Sequence, residues 1–219
     1  MPNKDVKEKL TEGRQYRAVA EVRVLPGEGE ARIVEGYATT FNQPYELWRD
    51  GPDYIFLEQV DRGAFDKTDM SDVIMQYDHE GRVFARTNNG TLELRTDDHG
   101  LHIRADLGGT EIGRQLYEEI KGGYTDKMSF GFTVRGDKRE EHMEDGKTIL
   151  TRTITDIGKL YDVSAVSIPA NDATSISVRT FVNGEIERLK AERLEQERIA
   201  KLEERKAALR ERIENGRAE

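Results

Sequence analysis

The chain of 219 residues is long enough for one domain and an appendage, and 35% of its residues are charged, above the rough quarter typical of globular domains. Its formal net charge of −9 argues against broad nucleic-acid binding, which needs clustered Lys and Arg. The absence of cysteine excludes disulfides, thiolate catalysis and cysteine metal sites. The polar start predicts no standard secretion signal, and no apolar run approaches the roughly 18 residues of a membrane span.

The first quarter of the chain predicts strands that follow a polar start. Residues 1–16 are polar, and we expect them to be flexible. Apolar and polar residues alternate over 17–25, which predicts a strand, and 32–41 predicts a second. Residues 42–54 are rich in turn formers, and 55–60 predicts a further short strand.

The middle of the chain predicts short strands and one helix. A loop with a short helix is expected over 61–71, followed by a buried strand, DVIMQYDHE, that ends in polar residues. Residues 82–107 predict three short strands joined by NNG and DDHG turns. Thr110 is suited to cap a helix over 111–121, which the glycine pair after it would end.

The remaining core residues predict more strands. Residues 127–136 favour a strand, 138–147 a charged hairpin loop, and 148–168 a strand region ended by Pro169. About nine short strands with few helices predict a mainly β, α+β fold built on a closed or nearly closed β-barrel.

The last 36 residues differ from the rest. Residues 184–219 have no Pro and no aromatic residue, and their ten Glu balance ten Lys plus Arg. The seam positions of the final two heptads are Ile199, Leu202, Lys206, Leu209 and Ile213. This pattern predicts a long charged helix with a short seam. The domain organisation is therefore a flexible N-terminus (1–16), a barrel domain (17–183) and a helical tail (184–219).

Two positions carry the residue types of a hydrolytic centre. His79 follows a buried strand and precedes Gly81 by two positions, which suits a general base facing a cleft. The alternative is a histidine in a surface turn. Ser129 lies between two large apolar residues, and Gly131 permits close approach and free N–H groups for an oxyanion. The alternative is a serine on the outward face of a strand.

A third position supplies an acid. Asp162 interrupts an apolar run, where a carboxylate is costly unless it is paired, so it is a candidate to orient an imidazole. The alternative is an exposed, outward-facing acid. Ser164 and Ser167 lack an adjacent glycine and are interpreted as ordinary strand serines.

Other polar residues are weaker candidates. Asp97, Asp98, His99 and His102 form a polar group in and beside the DDHG turn, but the acids are turn formers and no distant ligand is implied. We therefore expect no metal site and no cofactor. His142 lies in the charged hairpin.

An ordered set of segments carries a resemblance to a known family. The segments are VEGYATTFN, DRGAFDKT, VIMQYDHEGRVFARTNNGTLEL, DDHGLHIRADL, EIGRQLYEEIKGG, YTDKMSFGFTV and LYDVSAVSIPAN. Together they span roughly 16–179, with the histidine before the serine, and they resemble the prohead proteases of tailed bacteriophages.

The resemblance implies a fold, a mechanism and partners. The fold would be similar to the β-barrel of the herpesvirus assembly proteases. His79 would be the catalytic base, Ser129 the nucleophile and Asp162 the third member, an acid that is often Glu in the family. The activity would be limited endoproteolysis of capsid-protein scaffold segments, and of the protease itself, in the assembling prohead in the host bacterial cytoplasm.

Several points stay open at this stage. The expected partners are the major capsid protein and its scaffold segments, with no nucleic acid and no membrane. The sequence leaves open whether the chain forms a homo-oligomer, and whether the tail binds helical scaffold or has no partner. It also leaves open self-cleavage between Arg179 and Glu187. The alternative function is a non-catalytic capsid assembly protein with a protease-like barrel; a different hydrolase, using His79 with an acid pair, is a further alternative.

Overall fold

The computed structural model describes residues 14–25, 31–167 and 176–215. Within these ranges the chain forms ten strands, two helices and a short 3-10 turn at Thr87–Asn89. The strands are β1 (Gln15–Val24), β2 (Ile33–Thr40), β3 (Tyr45–Asp50), β4 (Tyr54–Val60), β5 (Ile74–Tyr77), β6 (Glu80–Arg86), β7 (Leu92–Thr96), β8 (Gly100–Asp106), β9 (Lys127–Glu144) and β10 (Lys147–Val166). The helices are α1 (Glu111–Lys121) and α2 (Ile176–Asn215).

All ten strands belong to one sheet, which confirms the mainly β, α+β class. Its hydrogen-bonded order is β3-β4-β10-β9-β1-β2-β8-β7, and β5 pairs with β10 and with β6. The long β10 pairs in parallel with β4 along its first half and with β5 along its second half, while β9 runs antiparallel to it. Among the described strands no ladder joins β7 back to β3 or β6, so the closed barrel expected from the strand count is not found.

The main core lies on one face of this sheet, as strand alternation requires. Met128, Phe130 and Phe132 of β9 and Val163 and Ala165 of β10 are buried in it. The predicted alternating face of the β8 segment (Leu101, Ile103, Ala105, Leu107) is fully buried there as well. The intervening residues of β9 and β10 therefore point to the opposite face.

The predicted helix α1 is confirmed with its cap. The Thr110 hydroxyl accepts a hydrogen bond from the Gly113 N–H at 3.0 Å, and Leu116 and Ile120 are buried. The glycine pair after Lys121 ends the helix, with Gly123 at a φ of 73°.

Three local predictions were wrong in part. The turn-rich segment holds β3, because Leu47 is buried against a second core cluster. The charged residues 138–147 form the arms of a hairpin whose turn is Asp145-Gly146, both at positive φ, and the exposed ribbon pairs through its backbone. Residues 62–67 form turns instead of a short helix, although Ala64 and Phe65 are buried.

A buried ion cluster fastens β1 to β4 and β10. Both oxygens of Glu58 bind guanidinium groups: Oε1 binds Arg17 Nε, and Oε2 accepts from Arg17 and Arg152 at 3.0 and 2.9 Å. The hydroxyl of Tyr45 donates to Oε1 at 2.6 Å, and Gln15 accepts from both arginines. β1 thus begins at Gln15, two residues before the predicted start, because a paired polar residue is buried there.

The predicted charged helix is present as α2, which contacts the sheet near its start. Ile186 and Leu189 are buried beside the second core cluster, and Arg193 donates to the Thr148 hydroxyl at 3.0 Å. In the described part of the chain, neither helix combines the length and the apolar character needed to span a membrane.

Candidate active site

The three residues singled out in the sequence meet on the sheet face opposite the main core. Ser129 of β9 lies directly opposite Ser164 of β10, and Gly131 lies opposite Asp162. Side chains two apart on a strand share a face, so Ser129 and Asp162 project from neighbouring strands to the same side. His79 follows β5, which is the other neighbour of β10.

The imidazole of His79 bridges the other two side chains. Its Nε2 lies 2.6 Å from Ser129 Oγ, and its Nδ1 lies 2.5 Å from Asp162 Oδ1. Asp162 and Ser129 are buried, and the imidazole is 11% exposed. Since a carboxylate only accepts, the proton of neutral His79 resides on Nδ1, which leaves Nε2 to accept from the serine hydroxyl.

This hydrogen-bonded chain of serine, histidine and acid is the arrangement that activates a serine hydroxyl for acyl transfer. The family model described as caudovirus prohead serine protease matches residues 18–189, a span that includes all three side chains. The chain belongs to this family. No curated protein and no solved structure matches it, so the expected likeness to the herpesvirus assembly proteases stays a prediction.

Membership of this family indicates the general role of the prohead protease. The family is one of serine peptidases that act in capsid maturation, inside the assembling prohead, in association with capsid proteins.

The site of this prohead protease depends on a turn with positive φ. Asp78 and His79 have φ values of 48° and 60°, in the left-handed region. The Asp78 N–H donates to Ala165 O at 3.0 Å, which continues the pairing of β5 with β10 for one more residue. The turn then directs the imidazole back across β10 toward β9.

Gly131 makes room for the carboxylate in this protease. A Cβ at position 131 would lie 2.2 Å from Asp162 Oδ2 and 2.9 Å from Tyr16 Cε1. The sequence indicated close approach of a backbone or substrate at Gly131. The structure shows that the approaching group is the Asp162 side chain.

Two contacts of the protease site were not predicted. The Tyr16 ring lies 4.2 Å from the His79 ring, centroid to centroid, although residues 1–16 were expected to be flexible. Ser164, interpreted as an ordinary strand serine, donates its hydroxyl to Asp162 Oδ1 at 2.8 Å. The spacing of two residues in a strand was a signal for Ser164, whereas nothing in the sequence pointed to Tyr16.

The polar group around the DDHG turn lies outside the site. Asp97 Oδ1 accepts from the N–H groups of His99 and Gly100 at 2.8 and 3.0 Å, and its Oδ2 accepts from the Tyr37 hydroxyl at 2.9 Å. Oδ1 thus holds the turn, in line with the predicted role of the acid as a turn former, and Oδ2 links the turn to β2. His142 is exposed on the arm of the long hairpin.

Proposed function

We propose that the chain is the serine endopeptidase of prohead maturation, with Ser129 as nucleophile, His79 as general base and Asp162 as the acid that orients the imidazole. The observation that carries this proposal is the imidazole of His79, which lies within hydrogen-bonding distance of both other side chains at once. A surface histidine or a structural serine has no need of such an arrangement.

The proposed reaction follows from these contacts. His79 Nε2 takes the Ser129 proton as the hydroxyl attacks a peptide carbonyl, and Asp162 stabilises the resulting imidazolium without being protonated itself. Backbone N–H groups are the expected donors to the oxyanion. His79 then protonates the leaving amine, and a water molecule, activated by the same imidazole, hydrolyses the acyl-enzyme. The reaction needs no cofactor.

The proposed substrates are scaffold segments of the major capsid protein and the protease itself. Self-cleavage between Arg179 and Glu187, which the sequence leaves open, would fall in the first turns of α2. This stretch precedes Leu189 and Arg193, which contact the sheet, so a cut there would release the remainder of the helix from its covalent link to the sheet.

A second candidate is a non-catalytic assembly protein that retains a protease-like sheet. The observation that favours it is the complete burial of Ser129, since a nucleophile must be reached by its substrate. The two candidates differ in what loss of the serine hydroxyl does to capsid processing.

The deciding experiment is mass spectrometry of capsid protein co-expressed with the wild type, with Ser129→Ala, and with Ser71→Ala. Ser71 is an exposed serine whose hydroxyl binds Asp69, so it is the matched control. We expect Ser129→Ala to abolish scaffold removal and self-cleavage, and Ser71→Ala to process normally. Unchanged processing by a folded Ser129→Ala chain would refute the proposed nucleophile.

A further inference from the structure

The two oxygens of the Asp162 carboxylate have different surroundings. Oδ1 lies 2.5 Å from His79 Nδ1 and accepts from the Ser164 hydroxyl at 2.8 Å. Oδ2 is buried, and among the described residues no group donates a hydrogen bond to it. A buried carboxylate oxygen without a donor is unfavourable, because water solvates that oxygen in the unfolded chain. The carboxylate would therefore gain by turning Oδ2 toward water, which would draw Oδ1 away from the imidazole.

The guanidinium group of Arg14 lies beside this oxygen. Its Nη1 is 3.9 Å from Asp162 Oδ2, and its central carbon lies over the Tyr161 ring, 3.9 Å from the centroid. The contact with the ring keeps the cation next to the carboxylate, although 41% of the Arg14 side chain is exposed. A positive charge at this distance favours the observed orientation of Oδ2 without a hydrogen bond to it.

The pairing of three strands brings Arg14 to the acid. Tyr16 of β1 lies opposite Gly131 of β9, which lies opposite Asp162 of β10. Side chains two residues apart in extended chain share a face, so Arg14 and Tyr16 point to the same side of the sheet. The Tyr16 ring contacts His79, and Arg14 contacts the acid that His79 binds. The start of β1 therefore lies against two members of the proposed site.

Among the residues that the structure describes, no other cation can replace Arg14. Lys159 of β10 binds Asp69 through its ammonium group at 3.1 Å. The basic side chains that lie within 4 Å of the Asp162 carboxylate are His79 and Arg14. Since His79 is the group that the acid has to orient, Arg14 is the cation that can hold the acid itself. Exposed ion pairs contribute little, but here the acid is only 1% exposed.

We propose that Arg14 is a positioning residue of the protease, whose charge holds the Asp162 carboxylate in the orientation that binds His79. This inference rests on the proposed function, because the orientation of Asp162 affects cleavage only if His79 is the catalytic base. Arg14 acts on the reaction through Asp162 and has no contact with Ser129 or His79 in this arrangement.

The first test separates the charge of Arg14 from its packing. Arg14→Met keeps an unbranched apolar stem beside Tyr161 without the charge, and Arg14→Lys keeps the charge. We expect Arg14→Met to lower the single-turnover rate of capsid-protein cleavage in reconstituted proheads roughly five- to twentyfold, and Arg14→Lys to recover most of the rate. The substrate concentration for half-maximal rate should stay unchanged in both variants, because Arg14 is not expected to bind substrate.

The matched control is Arg23→Met, which changes an exposed arginine of β1 that binds Glu35. It should cleave at the wild-type rate. A full rate for Arg14→Met, or equal losses in Arg14→Met and Arg14→Lys, would overturn the proposal, because the charge would then have no part in the effect.

The second test does not depend on catalysis. Urea unfolding of the Ser129→Ala chain is measured with and without Arg14→Met, each in the presence and absence of Asp162→Asn. Arg14→Met should raise the equilibrium constant for unfolding at least roughly threefold when Asp162 is present, and much less with Asp162→Asn, which removes the charge that Arg14 compensates.

The two tests together distinguish failure of this proposal from failure of the proposed nucleophile. Equal effects of Arg14→Met with and without Asp162→Asn would overturn the role of Arg14, even if Ser129→Ala abolishes cleavage. Cleavage by the Ser129→Ala chain would instead refute the nucleophile, and an effect of Arg14→Met that requires Asp162 would still support the hold of Arg14 on this carboxylate.

Discussion

Ser167 donates both its backbone N–H and its hydroxyl to the carboxylate of Asp78, at 3.1 and 3.0 Å. This pair ties the residue after β10 to the turn that carries His79. Both Asp78 and His79 have positive φ, which costs a residue other than glycine on the order of 1 kcal/mol. The two hydrogen bonds offset this cost and hold the imidazole in place, so we infer that Asp78 is a positioning residue.

Asp78→Ala should therefore slow the reaction without greatly weakening substrate binding. We expect the single-turnover rate of capsid-protein cleavage in reconstituted proheads to fall roughly ten- to hundredfold, because a misplaced base loses the aligned geometry. The substrate concentration for half-maximal rate should change little. Asp78→Asn should recover most of the rate, since Asn tolerates left-handed φ and keeps an acceptor oxygen.

The control is Asp98→Ala, which changes an exposed aspartate in the DDHG turn. It should cleave at the wild-type rate. A full rate for Asp78→Ala, at unchanged melting temperature, would show that the turn holds His79 without this carboxylate.

Gly131→Ala should reduce cleavage because it displaces the carboxylate of Asp162. The added Cβ would lie 2.2 Å from Asp162 Oδ2, so the carboxylate must move and lose its contact with His79 Nδ1. Loss of the orienting acid costs on the order of 10⁴ in kcat in serine protease triads, and partial displacement should cost at least roughly a hundredfold. Cleavage of co-expressed capsid protein, followed over time by mass spectrometry, measures the effect.

Gly136→Ala is the matched change on the same strand. Its Cβ would meet only side-chain atoms, Thr155 Oγ1 at 3.3 Å and Asp156 Cβ at 3.4 Å, so we expect near-normal cleavage. Equal activity of the two alanine variants would mean that Asp162 tolerates displacement, and it would count against the role proposed for this residue.

The sequence was sufficient where local rules decide the structure. The cap at Thr110 and the glycine pair after Lys121 defined α1, and strict alternation identified the buried face of β8. The three candidate site residues were singled out because each is chemically unusual for its surroundings, and their proposed roles came from the family resemblance. Their convergence could not be worked out from spacing, since it depends on β10 lying between β5 and β9.

Long-range pairing explains what the sequence did not reveal. Gln15 and Arg17 are buried because Glu58 and Arg152, far away in the chain, compensate their polarity. The number of strands alone does not determine whether the two edge strands of a sheet pair with each other. No local feature of the sequence therefore supported the expected closure of the barrel. The position of Tyr16 beside His79 follows from the same pairing of β1 with β9.

The ion cluster predicts how stability depends on pH. Burial opposes ionisation of Glu58, but the charges of Arg17 and Arg152, with hydrogen bonds from Arg17 and Tyr45, outweigh it and lower the pKa from 4.5 to about 2. A lowered pKa in the folded state means that the stabilisation is fully present above pH 4.5 and is lost as pH falls toward 2. The shift corresponds to roughly 3 kcal/mol. Urea unfolding at a series of pH values measures it.

The stability of the Glu58→Gln variant is compared with that of the wild type over the same pH range. The variant should be less stable at neutral pH by roughly 3–5 kcal/mol, because the buried guanidinium groups of Arg17 and Arg152 lose the carboxylate that they share, although Arg152 still binds Asp137 at 2.7 Å. Its free energy of unfolding should also fall less steeply between pH 4.5 and 2 than that of the wild type. Parallel pH curves for the two proteins would show that Glu58 does not titrate in this way.

The burial of Ser129 predicts slow labelling by serine-directed reagents. The side chain has no exposed surface and the imidazole beside it is only 11% exposed, so a fluorophosphonate can react only after a local opening. If opening costs about 3 kcal/mol, the labelling rate falls roughly a hundredfold below that of a permanently open site. Low, non-denaturing urea should accelerate labelling, because opening exposes surface.

The decisive part of this labelling experiment compares the labelling rate with and without immature capsid shells. If the site opens when the chain binds immature capsid shells, adding them should raise the labelling rate of Ser129, as mapped by peptide mass spectrometry. Ser129→Ala should remain unlabelled and Ser71→Ala should behave as the wild type. Fast labelling of the isolated chain, insensitive to both urea and shells, would contradict a closed resting site, because a hydroxyl that is always accessible gains nothing from opening.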